Sequence, residues 1–535
     1  MGSENKNKNM TQMIGGASFM MLGTLISRVL GLMREMTVAA FFGATWQLDA
    51  FFVAYTLANM VRQLLAEGAL SASFVPVFAR LLQHDGRDKA AKLAKQALTV
   101  ILLASGTVAL LGILGAPIFV KFIAPGFTGE TKTVAITMTR YMFPFIMLIS
   151  VAALAMGVLN SLNSFFIPAI APALSNFVFI LFLYFTRHHL TIYHLAAAVL
   201  LGGFAQMSLQ VIYSAKKKFP FVPAIPGRDN EDLKTMMTLF LPYAAGLSLN
   251  QLNPIIDRIL GSFLHAGSIS ILNYADRVLQ LPLGIFVIAI SQAVLPLLSK
   301  LDPSDKTVFR DFVRDALRFN LFVILPVAIL FMLLAFPIVH ILFCHGAFTL
   351  DNARATAGAL SIYALGLPAM SCVAITMRAI YAIRLPKVAV KSTAITVVTN
   401  LVLGIIFARF CGLYGLAIST FFAFTASAIY VAFALRKNLG VKLNILTKDY
   451  LLRQLLSLVI MITIAAIFAY FIPFNVDASI SIRIVWLCAV GLISVATYTL
   501  ITLILKFEEW EILLSMLGKG RSRQNKGDDS YDEIK

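Results

Sequence analysis

The chain has 535 residues, of which 59% are hydrophobic and only 13% are charged, about half the charged share of a soluble domain. A formal net charge of +18 is a feature of nucleic-acid-binding proteins, but here Lys and Arg lie in short connections between long apolar stretches. That distribution indicates a membrane protein and excludes a nucleic-acid partner. A transmembrane β-barrel is also excluded, because barrel strands alternate over about ten residues whereas these apolar runs are continuous.

The apolar runs predict about fourteen membrane-spanning helices, because each run is long enough to cross a hydrocarbon core of roughly 30 Å. In chain order the predicted spans cover residues 15–42, 48–74, 93–121, 134–160, 164–186, 189–213, 235–264, 268–298, 317–343, 352–378, 386–409, 412–435, 450–472 and 480–505. The predicted fold class is therefore an all-α polytopic membrane protein.

The charge of the connections predicts the orientation of these spans. Connections after even-numbered spans hold most of the Lys and Arg residues, and connections after odd-numbered spans hold few. Basic connections stay on the cytoplasmic side of a membrane. We therefore predict that residues 80–95, 214–234 and 300–316 face the cytoplasm, and that both termini lie there as well.

A self-comparison indicates an internal repeat at a shift of roughly 220 residues. At this shift Pro144 aligns with Pro368, and Asn176 aligns with Asn400. A repeat of six spans gives both halves the same topology, as in transporters with parallel halves around a central cavity. Chance similarity between apolar segments is the alternative.

The predicted organisation is an N-terminal lobe at 1–228, a C-terminal lobe at 229–440, two extra spans at 441–510 and a polar cytoplasmic tail at 511–535.

Charged residues inside the predicted spans concentrate in the first two spans of each half. A charge at the bilayer centre costs at least ~2.5–3.5 kcal/mol, so it normally faces a protein interior or a watery cavity. Arginine is permanently charged and its planar fork fits phosphate oxygens, so several arginines in one cavity suit a diphosphate. The structural alternative is that arginines near helix ends reach the interface and that adjacent Asp-Arg pairs neutralise each other. These residues are Arg28, Arg34, Glu35, Asp49, Arg62, Glu67, Asp257, Arg258, Asp276 and Arg277.

Motifs of catalysis and metal binding are missing from the sequence. It has no paired-carboxylate motif, glycine-rich phosphate loop or His cluster, and its four cysteines show no metal-ligand spacing. We therefore expect a transporter and not an enzyme. A membrane glycosyltransferase is the rival from the enzyme class, and it would show an acidic motif in a loop that faces the sugar.

Three stretches of the chain resemble the MurJ (MviN) family, the lipid II flippases of the multidrug/oligosaccharidyl-lipid/polysaccharide exporter superfamily. They read "SRVLGLMRE" from Ser27, "FFGATWQLDAFFVAYTLANMVRQLLAEGALSASFVPVF" from Phe41 and "YADRVLQLPLGIFVIAISQAVLPLLSK" from Tyr274. The similarity runs over roughly the first 440 residues. The resemblance implies two six-helix lobes around a central cavity, with two further C-terminal helices.

The same resemblance implies a function. Members of this family act in peptidoglycan and cell wall biogenesis, and so in cell shape, in the bacterial inner membrane. The implied substrate and partner is lipid II, an undecaprenyl-diphosphate-linked precursor, which alternating access would move from the cytoplasmic to the outer leaflet. A monomer is expected. Another exporter of the superfamily, carrying an O-antigen lipid or a drug, is the alternative.

Site residues are implied residue by residue. The family's cavity arginines, which would bind the substrate, correspond to Arg28, Arg34, Arg62 and Arg277. Supporting positions in the cavity or its gates correspond to Ser27, Glu35, Asp49, Asn59, Glu67, Gly68 and Asp276. The chain departs from the family pattern at Glu35, Gln63 and Ala58, where Asp, Arg and Pro are usual. These departures bear on the angle of the second span more than on the site.

No cofactor is implied, apart from a sodium ion that some relatives bind between the seventh, eleventh and twelfth spans. Asp257 corresponds to the acidic ligand of that ion. The later spans offer only Thr396, Thr399 and Asn400 as partners, so sodium coupling is the weaker part of the expectation.

Overall fold

Helices make up the fold of the described part of the chain. The computed structural model describes residues 23–63, 70–225, 230–248, 251–298, 306–439 and 447–510, and within these ranges it contains no β-strand. The helix α1 is described over residues 23–42. It is followed by α2 (Trp46–Arg62), α3 (Leu70–His84), α4 (Arg87–Leu114), α5 (Ala116–Ile123), α6 (Gly129–Met142), α7 (Phe145–Ser161), α8 (Phe166–Thr186), α9 (Tyr193–Lys216), α10 (Glu231–Ser248), α11 (Leu252–Gly261), α12 (Ser268–Pro282), α13 (Ile288–Leu298), α14 (Lys306–Leu333), α15 (Ala335–Phe343), α16 (Leu350–Ala382), α17 (Pro386–Cys411), α18 (Leu413–Leu439), α19 (Lys448–Phe471) and α20 (Ile480–Ile504).

Eleven helical segments within the described ranges are long and apolar enough to cross a membrane. They coincide with the third to sixth and the eighth to fourteenth predicted spans, and confirm a multi-pass, all-helical membrane protein. The eighth predicted span, 268–298, is one continuous helical run in which a π-helical turn, Leu283–Val287, joins α12 to α13.

The first, second and seventh predicted spans are outside this set of eleven, and they carry most of the charged site candidates. The first is described only from residue 23. The second corresponds to α2 and the start of α3, with residues 64–69 outside the described ranges. The seventh is divided between α10 and α11. A total of fourteen spans stays a prediction.

By contacts, the chain divides into two compact units. The first unit comprises Met1–Tyr274, Phe343–Ala355 and Asn400–Leu416, and the second comprises Ala275–Leu342, Thr356–Thr399 and Ala417–Lys535. This division does not follow the boundaries of the sequence repeat. The lobes at 1–228 and 229–440, the extra spans at 441–510 and the tail at 511–535 therefore stay predictions, and the tail lies outside the described residues.

Small residues let the helices of the first unit approach closely. The α6–α7 segment is the most buried of the candidate spans, with 78% of its apolar window inside the protein. A Cβ at Gly157 of α7 would lie 2.9 Å from the ring of Phe74 in α3, and one at Gly202 of α9 would lie 2.8 Å from the Ser175 carbonyl oxygen in α8. Glycine at such crossings is a common device of membrane helix packing.

The core of the second unit is built on α14. The buried side chains of Phe309, Val313 and Leu317 pack with residues of α16 and α18. Farther along α14, the Tyr498 hydroxyl of α20 donates to the Phe322 carbonyl oxygen at 2.8 Å. The two C-terminal helices α19 and α20 therefore pack against α14 through an aromatic cluster with one buried hydrogen bond.

Candidate functional site

Arg34 is the centre of a polar network in the first unit. Its Nη2 lies 2.7 Å from Glu35 Oε1, and its Nη1 donates to Asn176 Oδ1 at 3.2 Å. The Asn176 amide nitrogen in turn donates to the Ser27 carbonyl oxygen at 3.3 Å. The network therefore joins α1 to α8, and Ser27 takes part in it through its backbone.

Aromatic rings flank the Arg34 guanidinium. Its Cζ lies 6.0 Å from the ring centroid of Tyr55 and 5.6 Å from that of Phe179, distances at which a cation is attracted to a ring face. The Arg34 side chain remains 21% exposed, whereas that of Glu35 is 6% exposed. Arg34 is thus held in a fixed orientation, with its charge balanced in part by Glu35, and its side chain is not fully enclosed by the protein.

Arg28 and Arg62 have different surroundings. Arg28 is exposed near the start of the described part of α1. Arg62 is half-buried at the end of α2, where its Nε donates to Asn59 Oδ1 at 2.9 Å. Glu67 and Gly68 follow in the chain and lie outside the described residues.

Asp49 acts as a cap for another helix. It is 3% exposed and accepts hydrogen bonds from the Gly267 backbone N–H at 2.6 Å and from the Ser270 N–H and hydroxyl at 2.8 and 2.6 Å. These donors lie at the N-terminus of α12, where unpaired N–H groups and the helix dipole favour a carboxylate. The geometry gives Asp49 a structural role at the start of α12, and its assignment to the cavity or its gates stays a prediction.

Asp257 and Arg258, adjacent in α11, bond to different helices. The Asn400 amide nitrogen of α17 donates to Asp257 Oδ1 at 3.0 Å. Arg258 donates to the Thr56 hydroxyl and to Asn273 Oδ1, both at 3.1 Å. The structure thus brings Asn400, one of the three partners predicted from sequence, to Asp257.

A sodium ion at Asp257 would need oxygen ligands, as hard cations do. The Asp257 carboxylate and the Asn400 amide each carry oxygen, and here the amide nitrogen donates to the carboxylate. Within the described ranges no group of three or more His, Cys, Asp or Glu side chains lies close enough to hold a metal. A sodium site at Asp257 stays a prediction.

Arg277 and Asp276 lie in the second unit, on α12. Arg277 Nη1 donates to Gln280 Oε1 at 3.4 Å, and Gln280 Nε2 donates to Asp276 Oδ2 at 2.6 Å. The predicted meeting of Arg277 with the other three arginines in one cavity stays a prediction.

Comparison with known proteins assigns the family. The model of the family described as "Lipid II flippase MurJ" matches residues 38–488. The chain belongs to this MurJ family. A relative from Burkholderia cenocepacia described as lipid II flippase MurJ is 34% identical over 429 residues, which cover 78% of this chain and 82% of the relative. A relative from Bdellovibrio bacteriovorus described as probable lipid II flippase MurJ is 32% identical over 449 residues, which cover 82% of this chain and 85% of the relative.

Solved structures agree with the assignment to the MurJ family. A lipid II flippase MurJ in an inward closed conformation matches with a TM-score of 0.75 at 25% identity, over 94% of this chain and 99% of that one. An inward-facing multidrug resistance transporter described as of the MATE family and the MOP superfamily matches with a TM-score of 0.66 at 18% identity, over 77% of this chain and 94% of that one. The second match shows a shared fold and nothing more.

Several residues of the network were not predicted from the sequence. Asn176 was identified only as an equivalent position of the repeat, whereas Asn400 was also one of the three partners offered for Asp257. Tyr55, Phe179 and Asn273 were not singled out from the sequence. The repeat did contain a signal. Each of the two equivalent amides bonds to a charged residue in the first span of its own half, Arg34 or Asp257.

Proposed function

We propose that this protein is a lipid II flippase. It carries the undecaprenyl-diphosphate-linked disaccharide-pentapeptide from the cytoplasmic to the outer leaflet of the bacterial inner membrane by alternating access, and so serves peptidoglycan synthesis. Family membership over residues 38–488 supports this proposal. The observation that carries it is Arg34, whose partly exposed side chain is held in place by Glu35 and Asn176 on α1, the first predicted span.

The diphosphate is the part of the substrate that Arg34 suits. A guanidinium presents N–H donors in a planar fork that matches phosphate oxygens, and its orientation here is set by two hydrogen bonds and two aromatic rings. Arg28, exposed on the same helix, and Arg62 at the end of α2 are the further proposed ligands in the first unit. Arg277 is the proposed ligand from the second.

The protein is proposed to be a transporter and not an enzyme. It is proposed to act as a monomer that binds neither a cofactor nor nucleic acid. Both of its termini are proposed to lie in the cytoplasm. The alternation of basic connections supports this orientation. It places the connections that follow α3, α9 and α13 on the side where lipid II is made, so the arginines would meet substrate from the cytoplasm.

The membrane potential is the proposed driving force. Moving a negative charge outward from a cytoplasm-negative interior is favourable by about 2.3 kcal/mol per charge per 100 mV. The same potential favours the return of an arginine-lined cavity toward the cytoplasm. Asp257 is proposed as a secondary modulator that binds a sodium ion or a proton during the return. Collapse of the potential by an ionophore at constant pH and sodium should slow flipping severalfold, and unchanged flipping would reject the potential as the drive.

Depletion of the protein, followed by an assay of lipid II exposed at the outer leaflet, tests the proposed function. We expect exposed lipid II to fall while total lipid II rises, and the parent protein but not Arg34→Ala to restore export. Unchanged exposure of lipid II, with a defect in O-antigen display or drug efflux, would assign the protein to another branch of the exporter superfamily. Loss of lipid II synthesis itself would favour the glycosyltransferase.

A further inference from the structure

Three connections of the first unit meet through their backbones. They are residues 43–45 between α1 and α2, 262–267 between α11 and α12, and 344–349 between α15 and α16. The Ala347 backbone N–H, from the third connection, donates to the Ala40 carbonyl oxygen at the end of α1 at 2.8 Å. We call this meeting point the glycine junction, after the glycine that each connection places there: Gly43, Gly267 and Gly346.

Each of the three glycines is in a conformation and a space that only glycine fits. Their φ angles are +64°, +87° and +60° for Gly43, Gly267 and Gly346. A Cβ at Gly43 would lie 2.5 Å from the Ala347 carbonyl oxygen, and one at Gly267 would lie 2.5 Å from that of Ala44. One at Gly346 would meet the Ala40 carbonyl oxygen even more closely. In every case the obstacle is a backbone carbonyl oxygen, of another connection for Gly43 and Gly267 and of the last turn of α1 for Gly346, which no side-chain rotation can clear.

Buried side chains hold the same point closed. Asp49 fastens the Gly267 connection to α2, and the Tyr274 hydroxyl donates to the Gly43 carbonyl oxygen at 3.3 Å. The Tyr274 ring packs against Phe343 and Phe348, with centroids 5.0 and 5.4 Å apart. The glycine junction is therefore a packed structure in which the three connections contact the ends of α1, α2, α12 and α15.

All three connections follow odd-numbered predicted spans, so the sequence places them on the outer side of the membrane. A transporter that loads substrate from the cytoplasm needs its outer end closed at that stage. We propose that Gly43, Gly267 and Gly346 form the outer closure of the transport cycle, and that the absence of side chains there allows the backbones to seal and part repeatedly. This inference rests on the proposed function for the direction of transport. Whether the junction is closed to a reagent added from outside can be measured independently of the substrate.

The chain supplies matched controls for the closure. Gly129 and Gly412 also have positive φ angles, +52° and +55°, but a Cβ at either would meet nothing within 4 Å. Both follow odd-numbered predicted spans. A change to Ala at these positions imposes the same backbone strain without touching another connection, so it separates the strain from the closure.

The test measures how readily a buried thiol at the junction is reached from outside. Ser268, next to Gly267, is 2% exposed, so Ser268→Cys in a protein without its four native cysteines serves as reporter. In intact cells an impermeant maleimide should label it slowly. Gly43→Ala, Gly267→Ala and Gly346→Ala should each raise the labelling rate at least ~10-fold and lower lipid II flipping. Gly129→Ala and Gly412→Ala should change neither. Equal labelling in both sets would overturn the proposal, and fast labelling with unimpaired flipping would deny the closure a place in the cycle.

A cross-link gives a second test that alters none of the three glycines. Residues joined by a backbone hydrogen bond have Cα atoms roughly 5–6 Å apart, within the span of a disulfide. The pair Ala40→Cys and Ala347→Cys should therefore oxidise readily and stop flipping until a reductant is added. Failure to cross-link would contradict the closed junction. A cross-linked protein that flips lipid II at the parent rate would overturn the role of the junction. If the parent protein itself does not export lipid II although the pair cross-links, the proposed function is contradicted and the closed junction is not.

Discussion

Two asparagines at equivalent positions of the repeat each bond to a partly buried charge on another helix. Asn176 bonds Arg34, and Asn400 bonds Asp257. The sequence revealed that these asparagines correspond to each other and that Arg34 and Asp257 were unusual. The family resemblance offered Asn400 as one of three partners for Asp257. The bond between Arg34 and Asn176 was not predicted, because hydropathy and spacing describe one helix at a time whereas this bond joins residues 142 positions apart.

Replacement of Arg34 tests the diphosphate site. Arg34→Ala should abolish flipping without preventing membrane insertion, since a charge-assisted hydrogen bond is worth ~1.5–3 kcal/mol. Arg34→Lys should rescue only part of the activity, because the planar fork is lost. The readout is lipid II exposed at the outer leaflet in depleted cells. Arg354→Ala, at a side chain that is 65% exposed, is the control.

Full activity in Arg34→Ala would remove Arg34 from the site. The double variant Arg28→Ala, Arg62→Ala extends the same test to the other two arginines of the first unit. If it complements fully, a diphosphate site built from these arginines is wrong.

Asp257 belongs to the return step in our proposal. Asp257→Asn should slow flipping severalfold and remove any response to sodium, because the carboxylate that would hold the ion is gone. Flipping is compared in sodium and in potassium at constant potential. Asp351→Asn, at a side chain that is 92% exposed, is the control. A variant that responds to sodium as the parent does would exclude ion binding at Asp257.

The sequence predicted the middles of the membrane helices better than their ends. The eighth predicted span was located correctly because it is a continuous apolar run with a helical period. The seventh was predicted as one helix, and the structure describes α10 up to Ser248 and α11 from Leu252, with residues 249–250 outside the described ranges. Pro254 lies in the first turn of α11, where the missing N–H of proline is tolerated. Mean hydropathy over a window does not report where a helix begins.

The N-terminus of α12 is where Asp49 should matter most. Asp49→Ala leaves the Gly267 and Ser270 donors without their buried acceptor, and we expect the free energy of unfolding to fall by about 2–4 kcal/mol. Asp49→Asn should cost less, since one side-chain oxygen still accepts. Thermal unfolding of the purified protein in detergent measures both. Ser268→Ala, at a buried neighbour, is the control, and an equal effect of Ser268→Ala would argue against capping by Asp49.

For the whole molecule, the sequence predicted the fold class, the family and most helices, and its grouping of the helices into two lobes stays a prediction. The repeat suggested a division after residue 228, whereas contacts place α10 and α11 in the first unit. A repeat records similarity along the chain, while compactness depends on which helix ends pack together. The bonds from Asp49 to the start of α12 and from Asn400 to α11 lie within the first unit. They are contacts between helices that a sequence repeat does not report.

The orientation of the whole molecule is open to direct labelling. Cysteines introduced at Gln83 and Asn230 should resist an impermeant thiol reagent in intact cells, because they lie in basic connections predicted to be cytoplasmic. A cysteine at Glu130, beside Thr131, should react. Permeabilised cells, in which all three should react, provide the control. The reverse pattern would overturn the orientation and the direction of transport with it.

The bond between Arg34 and Asn176 also has a consequence for how the protein is made. The two residues are 142 positions apart, so at a synthesis rate of about 5–20 residues per second roughly 7–28 s pass between their emergence from the ribosome. During that interval α1 is in the nascent chain without its partner on α8. Glu35, made in the same instant as Arg34, is the one member of the network that can balance the cation from the start. Membrane insertion of α1 should therefore depend on Glu35 at an earlier stage than on Asn176, because Glu35 can neutralise the arginine before α8 has been synthesised.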